Sequence, residues 1–124
     1  MGMYTGLRGK ILLNDLGAQV ASSNFDWESF TDVKQILDFS KDSRAYFIPR
    51  GVHCYMPEEW GESFVDVQDK VMSFSCSLKN YTGTIEKFIQ EVLPVIGDEW
   101  VLESLYEEET IATRHENKKT DKWF

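Results

Sequence analysis

Four side chains in this sequence could ligate a soft metal: His53, Cys54, Cys76 and His115, which are all of its histidines and cysteines. Zinc takes four such ligands, usually delivered as close pairs. No C-x-x-C or H-x-x-x-H spacing brings two of them together. Cys76 also falls on the apolar face of an alternating stretch, where a thiol acts as a small hydrophobe. The sequence therefore calls for no metal and no cofactor. Cys54 beside His53 suggests nucleophilic catalysis, but neighbours in extended chain point to opposite faces, so adjacency does not bring the imidazole to the thiol. Glu58-Glu59 and Glu107-Glu108-Glu109 offer carboxylates for acid–base work. That work needs one carboxyl in a dry site, and glutamate runs in loops face water. Phosphate-cradling glycine motifs are missing. Thr82-Gly83-Thr84 could present amides to an anion at a helix N-terminus, although Thr84 as a simple helix cap accounts for the same residues. No catalytic residue is assigned.

A binding surface is the stronger expectation. Arg8, Tyr46, Arg50, Trp60 and Arg114 could gather on a sheet face opposite the helices. Arginines interleaved with aromatics hold small anions through forked hydrogen bonds and stacking. The 17 Phe, Tyr and Trp side chains exceed what a core of this size needs. Trp60 and the terminal Trp123-Phe124 are candidate anchors for a partner protein. A formal net charge of −8 opposes direct nucleic-acid binding, which needs a basic face, and suits a basic partner.

These groups must be positioned by a fold. At 124 residues the chain suits one domain, with a charged and loose C-terminal tail from about residue 116. Met72, Phe74, Cys76 and Leu78 alternate with Ser73, Ser75 and Ser77, predicting a strand with one wet face. Asn80-Tyr81-Thr82-Gly83 supplies turn chemistry, and Ile85, Phe88, Ile89, Val92 and Leu93 then form a helical stripe. Pro94 should mark the last turn, with Gly97 as terminator. Tyr4 to Leu13 reads as a first strand, in which Gly6 and Gly9 allow a bulge or a close backbone approach. Asn14 to Asn24 is ambiguous. Asp26 or Thr31 could cap a helix burying Phe30, Val33, Ile36 and Leu37. Ala45 to Ile48 reads as a short strand stopped by Pro49, and Gly51 to Asp69 as an irregular loop. Trp100 to Tyr106 and Thr110 to His115 supply two more strands. Five strands and two or three helices without βαβ alternation predict α+β: a mostly antiparallel sheet with the helices on one face.

No run of 18 apolar residues spans a membrane and no leader pattern opens the chain, which predicts a cytoplasmic protein with unbridged cysteines. The segments Ser77-Leu78-Lys79-Asn80-Tyr81, Ile85-Glu86-Lys87-Phe88, Leu93-Pro94, Met3-Tyr4-Thr5-Gly6 and Leu105-Tyr106-Glu107-Glu108 resemble a pattern in small acidic proteins encoded by bacteriophages and prophages. The resemblance covers about a quarter of the chain. It implies a bacterial cytoplasm and an accessory or host-counteracting role, and transfers no catalytic residue. The resulting expectation is a non-enzymatic binding protein that occupies a host or bacterial protein, as an inhibitor would, or sequesters a small anionic ligand. A small hydrolytic or nucleotide-directed enzyme using His53 or His115 with Arg50 or Arg114 is the runner-up, and a structural homo-oligomer subunit the third.

Overall fold

A computed structural model of the chain describes residues 4–50, 56–120 and 123. The strands are β1 (Tyr4–Leu13), β2 (Phe64–Gln68), β3 (Val71–Lys79), β4 (Gly97–Tyr106) and β5 (Thr113–Asn117). They form one antiparallel sheet in the order β2-β3-β1-β4-β5, so β1 lies at its centre. The helices are α1 (Asp15–Ser22), α2 (Lys34–Ser40), the short α3 (Phe47–Arg50), α4 (Thr84–Lys87) and α5 (Leu93–Ile96). The expected α+β architecture is present.

The core lies between one sheet face and the helices. Leu7 and Ile11 of β1, Met72, Phe74, Cys76 and Leu78 of β3, and Leu102 of β4 are buried against Ile36, Phe39, Phe88 and Val92. Each such side chain contributes roughly 1.5–3 kcal/mol through burial. Trp27 meets the rings of Phe39 and Phe88 edge-on and donates its indole N–H to the Ile48 carbonyl at 2.7 Å, so this large ring buries no unpaired polar atom. Gly9 has φ +153°, and a Cβ there would lie 2.1 Å from the Val101 carbonyl oxygen. The close approach expected at this glycine is what lets β1 and β4 pair.

A single helical run carries α4 into α5 through a π turn at Phe88–Val92. Pro94 lies just beyond that turn and has no N–H for the helical ladder; widened register there is a known way to absorb the gap. Gly97 ends the run as expected, but in extended conformation, as the first residue of β4. The ambiguous segment after β1 is α1, capped by the Asn14 side chain, which accepts from the Gly17 N–H at 2.9 Å.

Several expectations need correction. The fifth strand is β2, not Ala45–Ile48. The latter segment forms turns leading into α3, and Ala45 and Ile48 are buried in the helical layer. β2 escaped recognition because all five of its residues are exposed, and because Asp69 and Lys70 adopt the left-handed conformations of its hairpin without a glycine or asparagine. Neither Asp26 nor Thr31 caps α2, whose N-cap is Val33; its buried residues are Ile36 and Phe39, with Leu37 half-buried. The last strand begins at Thr113, leaving Ile111 81% exposed. In the segment expected as a loose tail, residues 116–120 are tied to the sheet. β5 runs to Asn117, and the Glu99 carboxylate accepts the Lys119 and Thr120 N–H groups at 2.5 and 2.9 Å. The serine face of β3 is not wet throughout: Ser75 and Ser77 are buried.

Candidate functional site

The burial of Ser77, the β3 partner of Gly6, has a cover. A Cβ on Gly6, directed to the face of the sheet away from the helices, would lie 2.7 Å from the Trp60 ring and 3.0 Å from Pro57. The absent side chain at Gly6 therefore lets Pro57 and Trp60 lie flat on the sheet. At the other end of the same face, Glu99 draws in the C-terminal segment. The two backbone N–H groups hold the Glu99 carboxyl below its ordinary pKa, with the Trp123 indole adding to the effect. Trp123 is half-buried, so this expected anchor docks on its own chain; Phe124 lies outside the described residues.

Between these two covers the sheet stays open. Register places one residue from every strand in a single row across it: Phe64, Ser75, Arg8, Glu103 and Arg114. Directly opposed residues on adjacent strands have Cβ atoms about 5 Å apart, so side chains in such a row interact as neighbours. The row thus reads aromatic, hydroxyl, cation, carboxylate, cation. It lines a concavity of about 360 Å³, to which Trp60 and Lys10 also contribute. The Arg8 guanidinium stacks over the Trp60 ring, 4.3 Å from its centroid, and its Nε donates to Glu103 Oε1 at 3.1 Å. Arg114 Nε donates to Glu116 Oε2 at 3.2 Å. Ser75 is only 1% exposed, and its Oγ has no hydrogen-bond partner among the described residues. A buried hydroxyl without a partner costs about 1–3 kcal/mol of desolvation, so its occurrence in a residue that lines a cavity is informative.

Of the predicted surface, Arg8, Trp60 and Arg114 are brought together. Tyr46 and Arg50 are not. They form their own pair in the helical layer, with the Arg50 guanidinium 4.1 Å from the Tyr46 ring centroid and its Nη1 on the Asn24 carbonyl. They line a separate concavity of about 310 Å³ with Asp26 and Glu28. Their expected gathering with Arg8 depended on a strand at Ala45–Ile48 that does not form. Ser75 and Glu103 were not singled out from sequence. Alternation assigns both to the non-core side of their strands, and that was the available signal.

The remaining chemical groups are spent differently. The expected anion position at Thr82-Gly83-Thr84 is filled from within by Asp42. Its carboxylate accepts from Thr82 Oγ1 and Thr84 Oγ1, both at 2.7 Å, and from the Arg44 N–H at 3.0 Å; Lys87 lies 3.6 Å away. Burial pushes the Asp42 carboxyl up, but these hydrogen bonds and Lys87 outweigh it and hold the pKa below its ordinary value. Thr84 therefore binds Asp42 rather than capping the helix, whose N-cap is Gly83; the Ile85 N–H is taken by Asn80. Cys76 lies in the core. His115 Nε2 lies 2.9 Å from Ser104 Oγ, a pairing invisible in sequence because a hairpin creates it. Burial lowers the His115 pKa and the Glu86 charge partly offsets this. Glu107 accepts the Tyr4 N–H at 2.7 Å, fastening a strand end. His53 and Cys54 lie outside the described residues. No helix among those described is long and apolar enough to cross a membrane.

Compared with protein-family models, curated proteins and solved structures, the chain matches none of them.

Proposed function

We propose that this is a non-enzymatic binding protein that sequesters a small anionic ligand on the open face of its sheet. The observation that carries the reading is the row itself: two arginines and a serine, whose buried hydroxyl has no partner among the described residues, around one concavity under an indole ring. Guanidinium groups and hydroxyls supply the donors that carboxylates and phosphates need, and Trp60 gives Arg8 a fixed platform. The cations act locally against an acidic whole, so long-range steering would work against the ligand, and a small anion that enters the cavity suits the site better than a polyanion. A bacterial cytoplasmic setting and a phage-type accessory role belong to the same proposal, supported by the resemblance around Ser77–Tyr81 and Ile85–Phe88. Amide shifts in two-dimensional NMR during titration with inorganic phosphate, sulfate and benzoate test it. Shifts confined to the row and its neighbours on the five strands, and lost in Arg8→Gln/Arg114→Gln, are expected. Shifts scattered over the surface, or unaffected by the double variant, would rule the site out.

The Ser104–His115 pair supports a hydrolytic second reading, since a hydroxyl on an imidazole nitrogen at 2.9 Å is nucleophile–base geometry. Among the described residues no hydrogen bond orients the other ring nitrogen, which a general base of this type requires. Turnover of p-nitrophenyl acetate that disappears in both Ser104→Ala and His115→Gln would move the assignment to this pair.

A further inference from the structure

We infer that Glu103 is a built-in competitor at the anion site, and that the ligand displacing it carries its charge on a flat ring. The inference rests on the proposed binding reading and specifies its ligand and its control. Glu103 stands in register between Arg8 and Arg114, so its carboxylate faces a cation on each neighbouring strand. It already occupies Arg8 Nε at 3.1 Å, the position an incoming carboxylate or phosphate would take. Both partners of that ion pair are more than a third exposed, so the contact is weak and exchangeable. A buried ion pair could not serve this way, because separating it would leave an uncompensated charge.

Ser75 fixes where the ligand's charged group would sit. It is the residue opposite Arg8 on β3 and lines the same cavity, and its buried Oγ has no hydrogen-bond partner among the described residues. On its far side, opposite it on β2, is Phe64, 49% exposed on the cavity wall. An anion held by Ser75 and Arg8 therefore has an open aromatic surface directly beside it. A flat ring fills that space with apolar contact, which a compact inorganic anion cannot. Phosphate and carboxylate head groups share the chemistry required.

Calorimetric titration with phenyl phosphate, benzoate and inorganic phosphate tests this on the full chain. Removing the competitor in Glu103→Gln should tighten phenyl phosphate by about threefold to fivefold, the range expected for releasing one exposed ion pair. Phenyl phosphate should bind wild type about fivefold better than inorganic phosphate, and Phe64→Ala should abolish that preference. Glu103→Ala, which also deletes the carboxylate, is the second variant if Glu103→Gln does not fold. Equal affinity in wild type and both Glu103 variants would overturn the competitor role while leaving the binding site standing. Equal affinity for phenyl and inorganic phosphate in wild type would overturn the flat-ring ligand. Absence of binding by all three probes, in wild type and in the Glu103 variants, would remove the binding reading itself.

Discussion

On the helix side of the sheet, the Asp42 carboxylate is 3% exposed and fully engaged, accepting from two threonine hydroxyls and a backbone amide with Lys87 close by. On the open side, Glu103 is 37% exposed and, among the described residues, makes a single ion pair, while the serine hydroxyl in its row has no partner among them. The two regions use the same chemical groups. They differ in completeness. In the first, every donor around the carboxylate comes from the chain, so the arrangement joins the turn before α3 to the start of α4 and acts as structure. In the second, cations, hydroxyl and ring line a cavity, and the internal partners leave hydrogen-bonding capacity over. Completeness of the local hydrogen bonding, more than residue type, separates a structural polar cluster from a candidate binding site.

Substitutions in the two regions should have unequal effects. The largest effect is expected at Asp42. Asp42→Ala should cost about 2–4 kcal/mol, since it strands two hydroxyls and an amide that served a charged acceptor. Denaturant midpoints measure this. In Asp42→Asn the loss should depend on pH. The folded pKa of Asp42 lies below its ordinary value, so its contribution is complete above that ordinary value and fades as pH falls through the folded one. The stability gap between wild type and Asp42→Asn should therefore close on acidification, as urea melts across the acid range would show.

An intermediate effect is expected at Gly6. Gly6→Ala places a methyl 2.7 Å from the Trp60 ring, which must lift from the sheet. A cost of about 1–2 kcal/mol is expected, with greater solvent exposure of Ser77 and weakened stacking on Arg8. Faster amide exchange at Ser75 and Ser77 would report the lifted cover. The smallest effect is expected at Arg8: Arg8→Gln should change stability by less than about 1 kcal/mol, because its ion pair with Glu103 is exposed. It should nevertheless remove anion binding.

The legible parts of this molecule are those with one strongly buried face. β1, β3 and β4 were readable because Leu7, Ile11, Met72, Phe74, Leu78 and Leu102 impose a period of two. The helix from Thr84 was readable from Ile85, Phe88 and Val92 at helical spacing. β2 was not, because neither of its faces is buried and propensity alone is a weak signal. Asp42 and Thr84 are separated by 42 positions and meet only through topology, so their pairing had no local trace. Arg8, Trp60 and Arg114 could be nominated by residue type. Their convergence could not, since it depends on Gly6 admitting the Trp60 segment and on the register of β4 and β5. Ser75 illustrates the same limit: alternation gives its face, but not the burial of its hydroxyl there.

The Ser75 hydroxyl on the open face has no partner among the described residues, while its counterpart on the helix side, Thr84, binds Asp42. Equilibrium urea unfolding of Ser75→Ala beside Thr84→Val, without added ligand, compares the two hydroxyls most directly. Thr84→Val should destabilise by about 1–2 kcal/mol, having removed a donor to a buried carboxylate, and Ser75→Ala should leave stability unchanged or raise it by a few tenths of a kcal/mol. A loss in Ser75→Ala equal to that in Thr84→Val would show that Ser75 is already satisfied within the fold and would contradict the assignment of this row as a binding site.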